Sequence, residues 1–209
     1  MLDAHLRPLF DPALDALARR LAERKIGADR LTALGFLAGL AACLAIALEA
    51  YWAGLALILA NRVLDGLDGA VARRSGPTDF GGFIDTLADF LFYSAVPFAF
   101  ALAEPERALA AAFLILSFVG TGVSFLAFAA IAARRAMTSD RYGLKAIYYL
   151  AGLAEGSETT LVFIAMALAP QWFEPLAYGF GAVCWATTAE RVWRGARAFR
   201  DRPPEPHSG

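Results

Sequence analysis

The chain has 209 residues, 58% of them hydrophobic, and a mean hydropathy of +0.51. Soluble domains run nearer half apolar and break their apolar runs with charge; here the apolar residues come in long blocks, which argues for one membrane domain with no soluble catalytic domain. A net charge of −1 supplies no basic surface, so no nucleic-acid partner is expected. The two cysteines, Cys43 and Cys184, both fall in apolar blocks, where packing explains them better than a disulfide framework.

Residues 3–25 are expected to form an amphipathic helix. Leu6, Leu9 or Phe10, Leu14, Leu17 and Leu21 recur at helical spacing, and Asp11, Asp15, Arg19, Arg20 and Glu23 fill the other positions. Such a helix is expected to lie on the membrane surface, so residues 1–30 form a cytoplasmic juxtamembrane segment. No signal peptide is expected, because Asp3, His5 and Asp11 precede any apolar block.

Six apolar stretches follow, at roughly 31–50, 51–72, 82–103, 107–133, 144–169 and 172–194. Each approaches the ~20 residues that a spanning helix needs. An open sheet cannot satisfy its backbone in lipid, so the expected fold is all-α: an integral membrane domain of six transmembrane helices over 31–200, plus the N-terminal surface helix. Basic residues cluster in the N-terminal segment, at Arg73 and Arg74, at Arg134, Arg135, Arg141 and Lys145, and from Arg191 to Arg202. Only Arg107 falls on the opposite side of a six-span topology. By the positive-inside rule both termini are then cytoplasmic. Trp52 and Trp172 suit an aromatic belt on the outer side. The Pro-rich tail 201–209 is expected to be disordered.

Four carboxylates stand out. Asp65 and Asp68 are three apart on the second span, and Asp85 and Asp89 are four apart on the third, so each pair shares a helix face. Counting from Tyr51, Asp65 lies about 21 Å along its helix, which leaves it about 9 Å from the inner edge of a ~30 Å core. Counting from Gly82, Asp85 and Asp89 lie about 5 and 11 Å deep. All four therefore reach one inner layer from two adjacent antiparallel helices. Carboxylates inside a membrane are costly and mark function. Four together repel strongly unless cations intervene, and an all-oxygen set suits Mg²⁺, Mn²⁺ or Ca²⁺. The competing structural explanation is ion pairing with Arg62, Arg73 and Arg74. Gly66, Gly69, Gly81 and Gly82 leave room beside the acids for a ligand.

Asp65-Gly-Leu-Asp68-Gly69-Ala-Val-Ala72-Arg73, then Gly81, then Asp85-Thr-Leu-Ala-Asp89, resembles the signature of the CDP-alcohol phosphotransferase (CDP-alcohol phosphatidyltransferase) superfamily. Eight positions agree in order across 25 residues, counted from Asp65 to Asp89. The spacer from Arg73 to Gly81 holds seven residues, where eight is commoner. Of the Pro-Asn-x2-Thr that many members carry before the first span, only Thr32 remains.

The resemblance implies a six-span fold with a cytoplasmic active site. It also implies an enzyme of phospholipid biosynthesis that moves a phosphoalcohol group, expected to be phosphatidyl, from a CDP-alcohol to an acceptor alcohol with release of CMP. The donor would be CDP-diacylglycerol. By resemblance Asp65, Asp68, Asp85 and Asp89 bind two divalent cations, Mg²⁺ or Mn²⁺, and Asp89 is the general base. Asp68, Gly69, Ala72, Arg73 and Gly81 would contact the nucleotide and its pyrophosphate. Membrane lipids are partners, and family members are often homodimers.

The acceptor side is marked more faintly, by Glu155 and Glu158 near the cytoplasmic end of the fifth span and by Arg134 and Arg141 on the loop before it. Structural and topological roles compete there. Two other classes use intramembrane acids. Prenyl-pyrophosphate transferases place their acidic motifs on distant helices, whereas here both lie in one hairpin. A divalent cation transporter needs acids at the midplane and an exit path, whereas the outer halves of these spans carry almost no charge.

Overall fold

The computed structural model describes residues 3–135 and 154–200. Seven α-helices account for most of them: α1 (Asp3–Glu23), α2 (Ala28–Ala47), α3 (Tyr51–Ser75), α4 (Asp79–Ala103), α5 (Ala108–Arg134), α6 (Gly156–Leu168) and α7 (Phe173–Arg200). Short 3₁₀ turns, Pro105–Arg107 and Pro170–Trp172, lead into α5 and α7, each with proline at its first position. There the absent N–H costs no hydrogen bond. No strand occurs among the described residues. Arg141, Lys145, the first part of the expected fifth span and the tail 201–209 lie outside them.

Among the described residues, three helices are long and apolar enough to cross a membrane: Ala28–Ala47, Asp79–Ala103 and the stretch Pro105–Arg134. Gly156–Leu168 is a shorter apolar helix. Of the other three, α3 and α7 differ from these spans in charge rather than length. α3 has 25 residues but carries Arg62, Asp65, Asp68, Arg73 and Arg74, and α7 has 28 but carries Glu174, Glu190 and four arginines.

The helices pack as a bundle in which α2 and α3 form a close hairpin, α4 lies against α2 and α5, α5 against α7, and α6 against α3. One half of the bundle is a dense aromatic core. Phe92, Phe100, Phe118, Phe163 and Phe173 are all buried in it, together with Ile46, Ile58 and Leu114. Phe100 stacks on Phe173 at 4.7 Å between centroids and on Tyr51 at 5.7 Å. Large leucines such as Leu37, Leu44, Leu102 and Leu109 face outward. Apolar side chains on the outside and aromatics within are what a lipid-facing bundle requires.

Two glycines set the rotation of α4. A Cβ on Gly39 of α2 would come within 2.8 Å of the Phe92 ring, and one on Gly122 of α5 within 2.6 Å of Phe90. The rings on either side of Asp89 are thus seated in notches that only glycine provides, which fixes the direction in which Asp89 projects.

α1 was expected to lie on the membrane surface; in the structure part of it packs onto the bundle. Leu14, Ala18 and Leu21 pack against Leu31, Leu67, Ala70 and Val71, so part of its apolar face is covered by α2 and α3. Asp15 also lies 3.9 Å from Arg74. The contact falls on the back of the helix that carries Asp65 and Asp68: Leu14 touches the face of Gly66. Phe10 and Leu17 remain exposed.

Candidate active site

The four aspartates line one cleft between α2, α3 and α4. Its walls are Thr32, Gly35, Phe36, Asn61, Arg62, Asp65, Asp68, Asp85, Ala88 and Asp89, and it encloses about 10 Å³, roughly the room of one water. The two acid pairs, three and four residues apart on facing helices, do converge as their spacing predicts.

Each acid is held differently. Asp68 is buried, and its Oδ2 accepts a 2.6 Å hydrogen bond from the Thr32 hydroxyl. Asp89 Oδ1 accepts from Arg62 Nη2 at 3.0 Å, and Asp65 Oδ2 lies 3.7 Å from Arg62 Nη1. Asp85 is half-buried on the same wall.

Arg62 is the centre of this arrangement and was not among the residues that the spacing singled out as a site. Its side chain is 15% exposed. Nε donates to Asn61 Oδ1 at 2.7 Å and Nη1 to the Tyr93 hydroxyl at 3.1 Å. The guanidinium carbon lies 4.8 Å from the Phe92 ring centre and 5.4 Å from that of Tyr93. Asn61 is itself anchored, donating to the Gly35 carbonyl at 2.8 Å. The signal was present in the sequence as an arginine inside a span, three residues before Asp65. What it binds depends on helix rotation, which periodicity does not supply.

Of the residues expected to meet the nucleotide, Asp68 lines the cleft, whereas Gly69, Ala72, Arg73 and Gly81 are not among its walls. Arg73 is exposed in the last turn of α3 and leans back over Gly69, where a Cβ would stand 3.4 Å from its Nη1. Ala72 is half-buried beside it. Gly81 lies in the first turn of α4, its N–H capped by Thr78 Oγ1 at 3.0 Å, and Asp29 Oδ1 would lie 3.3 Å from a Cβ there.

The acceptor candidates are near but separate. Glu155 occupies the position just before α6 and Glu158 lies in its first turn. A Cβ on Gly156 would stand 3.3 Å from the Tyr93 hydroxyl, so this helix start adjoins the residue that receives Arg62. Arg134 is exposed at the end of α5, and Arg141 lies outside the described residues.

A site for divalent cations can be tested on its donors. The chemistry fits: four carboxylates face one cleft and Arg62 contributes a single positive charge to it. The spacing is looser than a closed site, because among the described residues no three of His, Cys, Asp and Glu are drawn into a metal-holding group. The carboxylates instead rest on Thr32 and Arg62, the partners available to repelling anions.

Comparison with known proteins decides the family. Residues 26–190 match the family model for CDP-alcohol phosphatidyltransferase. The chain belongs to that family. It is therefore a membrane-embedded phosphotransferase of phospholipid biosynthesis. It is 52% identical over 196 residues to an inner membrane protein of Escherichia coli, YnjF, covering 93% of this chain and 95% of the relative. It is 43% identical over 86 residues to the archaetidylinositol phosphate synthase of Methanothermobacter thermautotrophicus, covering 41% of this chain and 43% of that one. The phosphatidylinositol phosphate synthase of Mycobacterium tuberculosis, solved with CDP-DAG bound, superposes with a TM-score of 0.55 over 88% of this chain and 90% of that one. At 22% identity that likeness establishes a shared fold.

Proposed function

We propose that this member of the family transfers a phosphatidyl group from CDP-diacylglycerol to a small acceptor alcohol and releases CMP. The observation that carries the reading is the convergence of Asp65, Asp68, Asp85 and Asp89 on one cleft. In this reading the bundle spans the membrane six times, with the cleft and both termini on the cytoplasmic side, as the distribution of arginine requires.

The four aspartates would hold two divalent cations, Mg²⁺ or Mn²⁺, which would supply neutralising charge for the pyrophosphate and its leaving group. The rest falls to the chain. Arg73 offers a planar fork of donors to the pyrophosphate, and Gly69 and Gly81, with Ala72 between them in sequence, let the nucleotide approach the helix backbone. Asp89 takes the proton of the acceptor hydroxyl on the oxygen that Arg62 leaves unengaged. That hydroxyl oxygen forms the new bond to the phosphorus carrying the diacylglycerol group. The bond from that phosphorus to the bridging oxygen breaks, and its electron pair leaves with CMP. A carboxylate is a weak base for an alcohol, so placement of Asp89 counts for more than its basicity.

The acceptor we assign is a phosphorylated polyol of the inositol phosphate class. Two partial relatives, from Methanothermobacter thermautotrophicus and Pyrococcus horikoshii, bear the name archaetidylinositol phosphate synthase, and Glu155 and Glu158, with hydroxyl-binding chemistry, flank Gly156, which faces the Tyr93 hydroxyl. Arg134, and Arg141 beyond the described residues, would meet the acceptor phosphate. The test is a panel of acceptors (inositol phosphate, glycerol phosphate, serine, choline and diacylglycerol) with labelled CDP-diacylglycerol, read by mass spectrometry of the lipid product. A phosphatidylinositol phosphate product supports the assignment. A different product moves the acceptor but keeps the donor, and no CMP release with any acceptor rejects the donor.

A further inference from the structure

We infer that Arg62 is the resident cation of the aspartate cleft: it positions Asp89 through one carboxylate oxygen and shares the cleft's negative charge with incoming divalent cations. The inference rests on the metal-dependent reading above and concerns a residue outside the eight-position signature.

The geometry makes Arg62 a fixed group. Its Nε, Nη1 and Nη2 each have a partner, on Asn61, Tyr93 and Asp89. Two aromatic rings flank the guanidinium at 4.8 and 5.4 Å. Asn61 ties the cluster to the α2 backbone at Gly35. A continuous path of hydrogen bonds therefore runs from α2 through α3 to Asp89 on α4. With Oδ1 of Asp89 committed to Arg62, the orientation of the other oxygen follows. A planar fork achieves this where a lysine would not.

The charge has a second effect. Arg62 lies 3.0 Å from Asp89 and 3.7 Å from Asp65, the distances at which a positive charge lowers the attraction of those acids for any further cation. Arg62 thus favours a precise Asp89 at the expense of metal affinity. The two effects predict opposite changes on its removal, which loss of structure cannot mimic.

The test uses the full chain, purified in lipid nanodiscs, as wild type, Arg62→Gln and Arg62→Lys. Mn²⁺ binding is titrated by electron paramagnetic resonance, and CMP release is measured from CDP-diacylglycerol. Arg62→Gln is expected to bind Mn²⁺ on the order of tenfold more tightly, while kcat falls about 100-fold and KM for the donor stays within about twofold. Arg62→Lys keeps the charge and loses the fork, so its Mn²⁺ affinity stays near wild type while kcat still falls about tenfold. Wild-type or weaker Mn²⁺ affinity in Arg62→Gln, or wild-type kcat in that variant, overturns the inference. If Arg62→Gln does not yield folded protein, Arg62→Lys decides alone: wild-type kcat overturns it. A wild-type chain that binds Mn²⁺ but releases no CMP rejects the proposed reaction, and the Mn²⁺ titrations still decide the charge-sharing role of Arg62.

Discussion

Buried Arg107 and half-buried Arg62 have nearly the same surroundings and opposite consequences. Arg107, in the turn before α5, is 8% exposed, pairs with Glu104 at 2.7 Å and reaches the Tyr51 hydroxyl at 3.4 Å. It lies 5.9 and 5.8 Å from the ring centres of Phe100 and Phe173. Arg62, midway along α3, also has an acid, a tyrosine hydroxyl and two rings. The difference is the count of anions. Arg107 meets one carboxylate in a region that is otherwise aromatic and closed. Arg62 shares its cleft with four. The first region is electrically complete and serves packing; the second carries an excess of negative charge that a membrane interior does not tolerate without further cations. Function is written in that imbalance.

Four substitutions sharpen the contrast. The largest effect is expected for Asp89→Asn, which keeps the shape and removes the base: CMP release should fall about 10³-fold or more, while binding of the CDP-lipid, followed by equilibrium dialysis, changes little. Turnover near wild type would remove Asp89 from the role of base. Asp68→Asn comes next. It deletes a buried carboxylate of the set, and the Mn²⁺ concentration for half-maximal activity should rise on the order of 100-fold; an unchanged metal requirement would leave Asp68 a packing residue. Thr32→Val then removes only the 2.6 Å hydrogen bond to Asp68, and the same titration should shift about tenfold. The smallest change in activity is expected at the other arginine. Arg107→Met loses the stacking and the pair with a half-exposed Glu104, lowering the melting temperature by a few degrees, about 1–2 kcal/mol, with kcat of the folded protein unchanged. A hundredfold loss of kcat there would erase the distinction between the two regions.

Much of the cleft was legible in the sequence because it depends on spacing alone. Asp65 with Asp68 and Asp85 with Asp89 lie at three- and four-residue intervals in two helices joined by a short loop, and no other arrangement of those helices was needed to bring them together. The first four apolar blocks bound their helices to within about three residues, whereas the last helix runs on to Arg200, six residues past the expected 194; α4 begins at Asp79, so Gly81 sits inside its first turn rather than before it. What spacing could not supply is rotation and partnership. Arg62 read as one of several cations available to the aspartates, and its partners emerged only once Phe90 and Phe92 were seated against Gly122 and Gly39. Thr32 carried a trace of the family's N-terminal pattern, but its bond to Asp68 joins residues 36 positions apart. The helical spacing of Leu14, Ala18 and Leu21 does not say where α1 docks: its seat behind Gly66 depends on Leu14 meeting a surface that glycine leaves bare.

The account as a whole stands on four aspartate oxygens on two neighbouring helices acting together through divalent cations to move a phosphatidyl group. The direct measurement is CMP release from CDP-diacylglycerol by the purified chain in nanodiscs, with a mixture of acceptor alcohols, titrated with Mg²⁺ or Mn²⁺. The prediction is release that is silent in chelator, restored by either ion, and abolished by Asp89→Asn. Release that persists in chelator, or that Asp89→Asn leaves intact, would contradict it.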